Sequence, residues 1–447
     1  MGDVVAKAFC PALHSILQRL HDHGFLAYAV GGAVRDALLS KMPFDFDITT
    51  SATPDQTAAV FSDCKQLDIG KKHGTITVFM EGTPFEITTF RSDGAYSDAR
   101  HPDSVSFAKS VKADVARRDF TVNALCWNKN EGVVDLCGGL SDLENGILRA
   151  VGQPQIRMQE DALRILRGLR FAAQLGFKIE PKTKAAMLSE RHLLVQISKE
   201  RIREEFTKIL CAPYMRAVLT EFAPIFEVFL PELSPLLGCA QHTPYHCYDV
   251  YLHTLVATEA IEPSPLLRLT MFFHDFAKPL SKTTDARGQD HFKGHQKLGA
   301  AMVEPILKRL RYDKKTIKFV TDRIAVHDLK APRNRIEAKE LLALVGVDVY
   351  RDLVKIKRAD TLAKAEPHAL DEKLERMQTL LQEVLDSGDA FSIAMLAING
   401  KDLQNVGIRG KAIQTILQTL LEAVIQERCP NERKALLRVA LQMKLSQ

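Results

Sequence analysis

One stretch constrains this chain more than any other: residues 28–50, which read YAVGGAVRDALLSKMPFDFDITT. The pattern predicts a strand, then a turn at Gly31 and Gly32, then a short helix that begins near Val34. Two adjacent glycines let backbone N–H groups approach an anion without interference from Cβ atoms. The helix that follows favours a phosphate group at its start, and Arg35 adds a positive charge there. The stretch therefore predicts a site that grips a phosphate-bearing ligand.

Asp45 and Asp47 close the same stretch, two residues apart on a predicted strand. Residues two apart on a strand project from one face, so both carboxylates are expected to point the same way. Paired carboxylates supply the oxygen ligands that Mg²⁺ prefers. The combination predicts nucleotidyl transfer from a nucleoside triphosphate, and the alternative is an exposed Asp pair in an ordinary strand–turn–helix. Glu86, on the neighbouring predicted strand FEITTF, is either a third carboxylate of this site or a solvated residue.

Composition sets the class of protein. The chain has 447 residues, of which 46% are hydrophobic and 26% charged, values typical of a soluble protein with two to four domains. No apolar run approaches the roughly 20 residues that span a bilayer, and the N-terminus lacks the basic-then-apolar form of a signal peptide. The eight cysteines are scattered without a C-x-x-C motif. We therefore expect reduced thiols, a cytoplasmic location and no membrane partner.

Helix and strand patterns alternate to about residue 150. The segment 91–107 is rich in Gly, Ser, Asp and Pro and reads as a long mobile loop, which inside a compact domain is usually functional. The run ARRDFTVNALCW predicts a helix with Asp119 as its cap.

From Asp161 onward nearly every segment reads as helix. Arg164, Arg167 and Arg170 recur every third residue beside an apolar stripe. Residues 153–212 contain 12 Lys and Arg against 7 Asp and Glu, a balance of +5 that equals the net charge of the whole chain. The row of arginines is either a solvated basic face or a surface for nucleotide or RNA, and its place after the phosphate site favours the second.

Histidines and aspartates between residues 240 and 365 form another group. The adjacent pair His274 and Asp275 has His253 upstream and Asp360 well downstream. Any one of these histidines is more often structural, but together they can assemble a site for Mn²⁺, Ni²⁺, Co²⁺ or Fe²⁺ from several helices. Two further histidines are expected close enough to make that site dinuclear: His295 and His327.

Near the C-terminus, NGKDLQNVGIRGKAI has a glycine at almost every turn-sized step. These glycines either end short helices or allow close approach of an RNA backbone.

Six motifs now identify a resemblance. GGAVRD with DFD, KHGTITV, RRDFTVNAL, DLCGGLSDLENGILRAVG, EDALRILRGLRFAA and ISKERIREEFTKIL occur in this order within residues 25–212. Their order resembles the class II tRNA nucleotidyltransferase (CCA-adding) and bacterial poly(A) polymerase superfamily. HTL, HDFAK and Asp360 resemble the HD phosphohydrolase domain that many bacterial members carry.

The resemblance implies an α+β nucleotidyltransferase head of the polymerase β type, followed by an all-α neck, an HD-type body and a helical tail. The implied bounds are 1–152 for the head, 153–235 for the neck, 236–365 for the body and 366–447 for the tail, with tRNA bound by neck and tail. It also implies site roles. Gly32 and Arg35 look like triphosphate contacts, Asp45 and Asp47 like Mg²⁺ ligands, and Arg118 like a contact to the incoming nucleotide. The residues that look like a protein template for the base are Asp161, Arg164, Arg167 and Arg170.

The first two template residues fit cytosine and adenine. Each of these bases presents an exocyclic amino donor beside a ring-nitrogen acceptor, whereas Asp161 only accepts and Arg164 only donates. Uracil and guanine present the reverse pattern and would leave polar groups unpaired, which discriminates strongly.

The expected activity is therefore template-independent addition of C, C and A to the 3′ end of tRNA from CTP and ATP, with pyrophosphate released and two Mg²⁺ ions used. An enzyme that adds only A stays open as the alternative, while the retained loop at 91–107 argues against one that adds only CC. A poly(A) polymerase is less favoured. An HD metallophosphohydrolase with a head that only binds is disfavoured by the intact pair of aspartates, although the body is a candidate for a second, metal-dependent phosphohydrolase activity. The oligomeric state is left open.

Overall fold

A computed structural model describes residues 2–43, 45–93 and 105–445. The chain divides into two compact units, Met1–Pro231 and Glu232–Gln447. The finer division into head, neck, body and tail stays a prediction. Residues 94–104 of the predicted mobile loop lie outside the described residues, and the loop's two ends form a short antiparallel hairpin in which Arg91 pairs with Phe107.

The N-terminal unit is built on a mixed sheet. Its seven strands are β1 Ala27–Val30, β2 Asp47–Thr50, β3 Lys65–Leu67, β4 Thr75–Met80, β5 Thr83–Thr89, β8 Cys126–Asn128 and β9 Gly132–Val134. The order across the sheet is β3-β4-β5-β2-β1-β8-β9. The shorter pairs are β6 Arg91–Asp93 with β7 Val105–Phe107, β10 Ile147–Leu148 with β11 Lys178–Ile179, and, in the second unit, β12 Thr283–Thr284 with β13 Asp290–His291.

Strand β2 lies near the middle of this sheet and begins at Asp47, one of the predicted Mg²⁺ ligands. It pairs antiparallel with β1, where Val30 faces Asp47, and parallel with β5, where Asp47 faces Glu86. The prediction that one strand carries both aspartates is wrong: β2 begins at Asp47, and Asp45 lies in the segment before it. The reason is that β1 ends at Val30, where the chain turns at Gly31, so β2 has no β1 partner before Asp47.

Helices cover the sheet and form the rest of the first unit. They are α1 Gly2–Ala8, α2 Pro11–Asp22, α3 Gly32–Leu38, α4 Pro54–Val60, α5 Val111–Ala116, α6 Gly139–Glu144, α7 Pro154–Glu160, α8 Leu163–Leu175, α9 Pro181–Ser189, α10 Lys199–Leu210, α11 Met215–Glu221 and α12 Ala223–Phe226. The helix predicted after Asp119 is wrong, because only a 3₁₀ turn at Thr121–Asn123 follows it before β8. Phe120 makes an antiparallel bridge to Ala150, which draws this segment into extended backbone.

Over its described residues, the second unit is helical apart from one two-stranded pair and the connecting segments. Its helices are α13 Val250–Ala260, α14 Pro265–Phe273, α15 Lys278–Ser281, α16 His295–Arg309, α17 Lys314–Val326, α18 Arg335–Leu362, α19 Asp371–Asp386, α20 Gly400–Asn405, α21 Lys411–Ile425 and α22 Arg433–Leu445. The glycines at 407 and 410 lie in the turn between α20 and α21, in agreement with their interpretation as helix junctions.

The predicted fold class, a mixed α+β head followed by a helical remainder, is confirmed, whereas the HD character of residues 236–365 stays a prediction. Within the described residues, every helix is too short or too polar to cross a membrane.

Candidate functional site

The turn between β1 and α3 approaches other residues of the site closely. Gly31 has φ +78° and ψ −134°. A Cβ atom there would lie 3.4 Å from Arg118 Nη1 and 3.9 Å from Asp47 Oδ2. Its N–H donates to the carbonyl of Leu125 at 3.2 Å, so this amide is already engaged. Gly31 therefore leaves open the space between a guanidinium and a carboxylate.

Asp45 and Asp47 are both exposed at the edge of this space. Within the part of the chain that the structure describes, no hydrogen bond or ion pair holds either carboxylate. Desolvation raises the pKa of Asp47 and the neighbouring Asp45 adds to the rise, while Arg118 opposes it. Glu86 is exposed and is the register partner of Asp47 on β5, so the two side chains share one face of the sheet. The sheet thus brings a third carboxylate beside the pair.

Arg118 forms an ion pair with a buried carboxylate. Its Nη2 lies 3.2 Å from Asp114 Oδ2, and Asp114 is fully buried on α5. Arg118 follows that helix and reaches toward Gly31 and Asp47.

Arg35 is buried and largely engaged by its neighbours. It donates from Nη1 to Asn123 Oδ1 at 2.6 Å and from Nε to Asp36 Oδ1 at 2.9 Å. Its guanidinium lies 5.2 Å from the centre of the Phe171 ring on α8. Gly32 opens α3 next to it. Arg35 therefore links the turn at Gly31 to α8, and its contact with a triphosphate stays a prediction.

Asp161 and Arg164 lie at the start of α8. Asp161 precedes the helix and accepts from the N–H of Leu163 at 3.0 Å, so only Arg164 of the two lies within α8. Arg201 Nη2 lies 3.4 Å from the other oxygen of Asp161. Arg164 is buried and donates to Glu160 at 2.5 Å and to the carbonyl of Arg117 at 2.9 Å. The predicted donor of the template, Arg164, is thus held by short hydrogen bonds, whereas the predicted acceptor, Asp161, has a longer contact with Arg201.

The next two arginines of α8 pair with buried acids. Arg167 donates to Asp119 Oδ2 from Nη2 at 2.6 Å and from Nε at 2.8 Å. Burial alone would raise the pKa of Asp119, but Arg167 and the amide of Asn123 lower it to about 2. Arg170 Nε lies 3.3 Å from Glu205 Oε2, and burial lowers the pKa of Arg170. Neither arginine is part of a freely solvated face.

Four acids and bases of this network were not among the predicted site residues. Asp119, Glu160 and Arg201 belong to motifs that also contain an arginine, which is the signal that could have identified them, whereas Asp114 lies three residues before RRDFTVNAL.

The second unit gathers the predicted histidines and aspartates into one cluster. His253 Nε2 lies 3.0 Å from Asp360 Oδ1 and 3.4 Å from Asp275 Oδ2. His274 Nε2 lies 3.1 Å from Asp275 Oδ2, and His295 Nε2 lies 3.4 Å from Asp275 Oδ1. Asp275 belongs to two groups of three ligand residues. One group contains His253 and His274, and the other contains His295 and His327.

The donor atoms of this cluster fit a metal ion. The Nδ1 atoms of all four histidines lie 2.6–3.1 Å from backbone carbonyls, which only accept, so each ring is protonated there and turns Nε2 toward Asp275. His295 Nε2 and His327 Nε2 lie 3.2 Å apart. Ligands about 2.1 Å from one ion are about 3.0–3.4 Å apart. His274 Nε2 and Asp275 Oδ1 are buried and form no hydrogen bond.

Charges around the cluster also shape it. Burial would lower the pKa of His274, but Asp275 and Asp360 raise it to about 9, whereas burial lowers the pKa of His327 to about 3. Lys278 Nζ lies 2.7 Å from Asp275 Oδ2, and Lys364 Nζ lies 2.6 Å from Asp360 Oδ2. A cleft of about 480 Å³ opens onto the cluster and is lined by both lysines.

In the mixed-sheet head, exposed carboxylates thus face an arginine across a glycine turn. Family models match residues 27–149 as "Poly A polymerase head domain", 176–237 as "Probable RNA and SrmB- binding site of polymerase A" and 295–440 as "tRNA nucleotidyltransferase domain 2". These matches follow one another along the chain and agree with the superfamily that the six motifs resemble.

Curated relatives are similar over part of their length. The chain is 47% identical over 230 residues to the CCA-adding enzyme of Lactobacillus helveticus, which covers 52% of this chain and 54% of that protein. It is 51% identical over 201 residues to the CCA-adding enzyme of Streptococcus thermophilus, which covers 45% of this chain and 50% of that protein. The chain thus spans about half the length of the curated relatives it matches.

A solved structure is similar over almost the whole chain. The CCA-adding enzyme of Bacillus stearothermophilus in complex with CTP shares 29% identity with a TM-score of 0.71, covering 98% of this chain and 99% of that one.

Proposed function

We propose that this protein adds C, C and A to the 3′ end of tRNA, using CTP and ATP without a nucleic-acid template and releasing pyrophosphate. The observation that carries the proposal is the arrangement of Arg118 and Asp47 on the two sides of Gly31. An arginine facing a carboxylate across an open turn suits a triphosphate with its associated cation. All eight cysteines are free, which fits the reducing cytoplasm in which we place this activity.

Asp45 and Asp47 fit Mg²⁺, because both are exposed oxygen donors with no partner among the described residues. Bound Mg²⁺ supplies charge neutralisation at the reacting phosphates and makes the attacking 3′ hydroxyl more acidic. Arg118 binds the triphosphate, which orients the α-phosphorus toward that hydroxyl. Glu86 shares the face of Asp47 and is proposed as an additional carboxylate of the site.

Base choice is proposed to rest on Asp161 and Arg164. The guanidinium of Arg164 is fixed by Glu160 and the carbonyl of Arg117, so its remaining N–H groups keep one direction. The carboxylate of Asp161 accepts from the exocyclic amino group that both cytosine and adenine carry. Arg167 and Arg170 stabilise α8 against the head and neck through Asp119 and Glu205.

The test uses three tRNA substrates, ending in the unpaired base before CCA, in C or in CC, each with CTP alone, ATP alone or both. A CCA-adding enzyme extends the first substrate with CTP and the third with ATP. An enzyme that uses only ATP on the third substrate would establish the A-adding alternative. Extension by many A residues without CTP would establish a poly(A) polymerase.

We also propose a second activity, metal-dependent hydrolysis of phosphate esters in the second unit. The observation that favours it is that four histidine Nε2 atoms converge on Asp275. A second carboxylate, that of Asp360, pairs with His253. His253, His274, Asp275 and Asp360 would hold one transition-metal ion, and His295 and His327 share Asp275 for a second. Bound Mn²⁺, Ni²⁺, Co²⁺ or Fe²⁺ supplies Lewis acidity toward water and phosphate.

Hydrolysis of p-nitrophenyl phosphate and of 2′,3′-cyclic nucleotides, with added Ni²⁺ or Mn²⁺, tests this activity. We expect metal-stimulated hydrolysis by the wild type and none by Asp275→Ala, with nucleotide addition to tRNA unchanged in both. Equal hydrolysis by the two proteins, or none by the wild type, would remove the second activity and leave the first.

A further inference from the structure

Asp114 is a buried carboxylate with an unusual set of partners. It is 0% exposed, and its Oδ1 accepts from Arg117 Nη2 at 2.7 Å and Nε at 3.0 Å. Its Oδ2 accepts from Arg118 Nη2 at 3.2 Å and from Thr49 Oγ1 at 3.1 Å. One carboxylate thus binds two arginines and a strand of the central sheet.

The strand in question is β2, which begins at Asp47. Thr49 is two residues further on and therefore projects from the same side of the strand as Asp47. Thr49 is itself fully buried, so its hydroxyl has a fixed position. Asp114 consequently connects the strand that carries Asp47 to the arginine that faces Asp47.

Arg118 depends on this connection for its position. Its side chain is 19% exposed and Asp114 is its ion-pair partner, while its Nε is buried without a hydrogen bond. Burial would raise the pKa of Asp114, but Arg118 and Arg117 lower it, so the carboxylate keeps its charge. A long arginine side chain that is not held in this way has many rotamers, and few of them reach Gly31.

We propose that Asp114 is a positioning residue for nucleotidyl transfer, which fixes the Arg118 guanidinium against Gly31 and Asp47. The inference rests on the proposed function, in which Arg118 binds the triphosphate. Asp114 touches no substrate and acts only through Arg118. Loss of its charge releases the Arg118 guanidinium from Asp114 and so from β2. Binding of CTP and of ATP weakens equally, because Arg118 binds the triphosphate, which both nucleotides carry.

The first variant is Asp114→Asn, which keeps the size of the side chain and removes its charge. We expect the KM for CTP and for ATP to rise at least tenfold, with the ratio between them unchanged. Thr49→Val removes one hydrogen bond to Asp114, leaves both arginines in place and gives a smaller effect in the same direction. This second variant keeps the test valid if Asp114→Asn folds poorly.

Asp142→Asn is the matched control. Asp142 is also buried in the first unit, and it holds one arginine and one threonine, Arg149 at 3.0 Å and Thr121 at 2.6 Å. We expect this variant to lower the melting temperature as Asp114→Asn does, while both KM values stay at the wild-type level. Equal KM changes in the two variants would overturn the positioning role and leave a structural one.

A double-mutant cycle with Arg118→Ala separates the two roles further. If Asp114 acts through Arg118, the double variant has the same KM for CTP as Arg118→Ala, within about threefold. A double variant whose rise in KM equals the product of the two single-variant rises would overturn the inference. An Arg118→Ala variant that keeps the wild-type KM would also overturn it. Calorimetry measures the affinity for CTP in the presence of Mg²⁺ without requiring turnover. Wild-type affinity in Asp114→Asn overturns only the positioning role, whereas a wild type that binds CTP but adds no nucleotide overturns the proposed function.

Discussion

Gly31→Ala is the substitution whose effect on the proposed transfer site follows most directly from the structure. Gly31 has φ +78° and ψ −134°, a conformation that only glycine adopts without strain. An alanine there costs about 2 kcal/mol of unfolding free energy, which corresponds to a melting temperature about 4–8 °C lower for a unit of this size. Strain alone predicts a weakened but folded protein.

The added methyl group also occupies the site itself. It would lie 3.4 Å from Arg118 Nη1 and 3.9 Å from Asp47 Oδ2. A phosphate oxygen that accepts from Arg118 on the side of Gly31 would lie about 2.8 Å from that nitrogen, in the space that the methyl group fills. We expect kcat/KM for CTP and ATP to fall at least 100-fold, or about 2.7 kcal/mol of transition-state stabilisation.

Gly24→Ala separates strain from obstruction. Gly24 has φ +82° and no atom within 4 Å of the position its Cβ would take. This variant is expected to lose about 1 kcal/mol of stability and no activity. Nucleotide addition is measured by single-turnover extension of tRNA at 25 °C, where both variants are folded by circular dichroism. A Gly31→Ala variant that keeps more than a third of wild-type kcat/KM would refute the reasoning.

Three further outcomes follow from the same site. Asp45→Ala and Asp47→Ala are each expected to abolish nucleotide addition while tRNA affinity, measured by fluorescence anisotropy, stays nearly intact; a tenth of wild-type turnover in both would rule out the Mg²⁺ assignment. Asp161→Ala is expected to admit UTP or GTP or to weaken CTP and ATP together, and unchanged selectivity in a four-nucleotide extension assay would place the template elsewhere. The ion pair of Asp119 with Arg167 lowers the pKa of Asp119 to about 2 in the folded state, below an ordinary value of about 3.9. Its contribution, about 2.5 kcal/mol, is therefore complete above about pH 5 and is lost as the pH falls toward 2. Urea unfolding from pH 5 to 3 should show a shallower pH dependence in Asp119→Asn than in the wild type, and identical slopes would contradict this assignment.

Local patterns were enough to predict the turn at Gly31. Glycines at 31 and 32 after a short apolar run indicate a strand, a turn and a helix, because glycine adopts the positive φ that such a turn requires. The structure has all three elements in that order. The motifs also identified the family, since six of them agree along the chain.

Local patterns failed where a neighbouring element decides the backbone. Asp45 lies outside β2 because β1 ends at Val30 and offers no partner beyond Asp47. The segment after Asp119 bends into a 3₁₀ turn because Phe120 pairs with Ala150, which is distant in sequence. Hydrophobic periodicity does not contain this information, because strand pairing depends on which segments meet in space.

The sequence by itself determined which residue types are available: paired carboxylates, a glycine turn, a row of arginines, and histidines with aspartates in the second half. Only the tertiary structure decided their partners. It placed Arg167 on Asp119 and Arg170 on Glu205, whereas Arg164 with Glu160 and Arg118 with Asp114 are pairs only four residues apart. A charged side chain can be buried only where an opposite charge meets it, and three-dimensional packing, rather than sequence spacing, brings Arg167 to Asp119 across 48 residues.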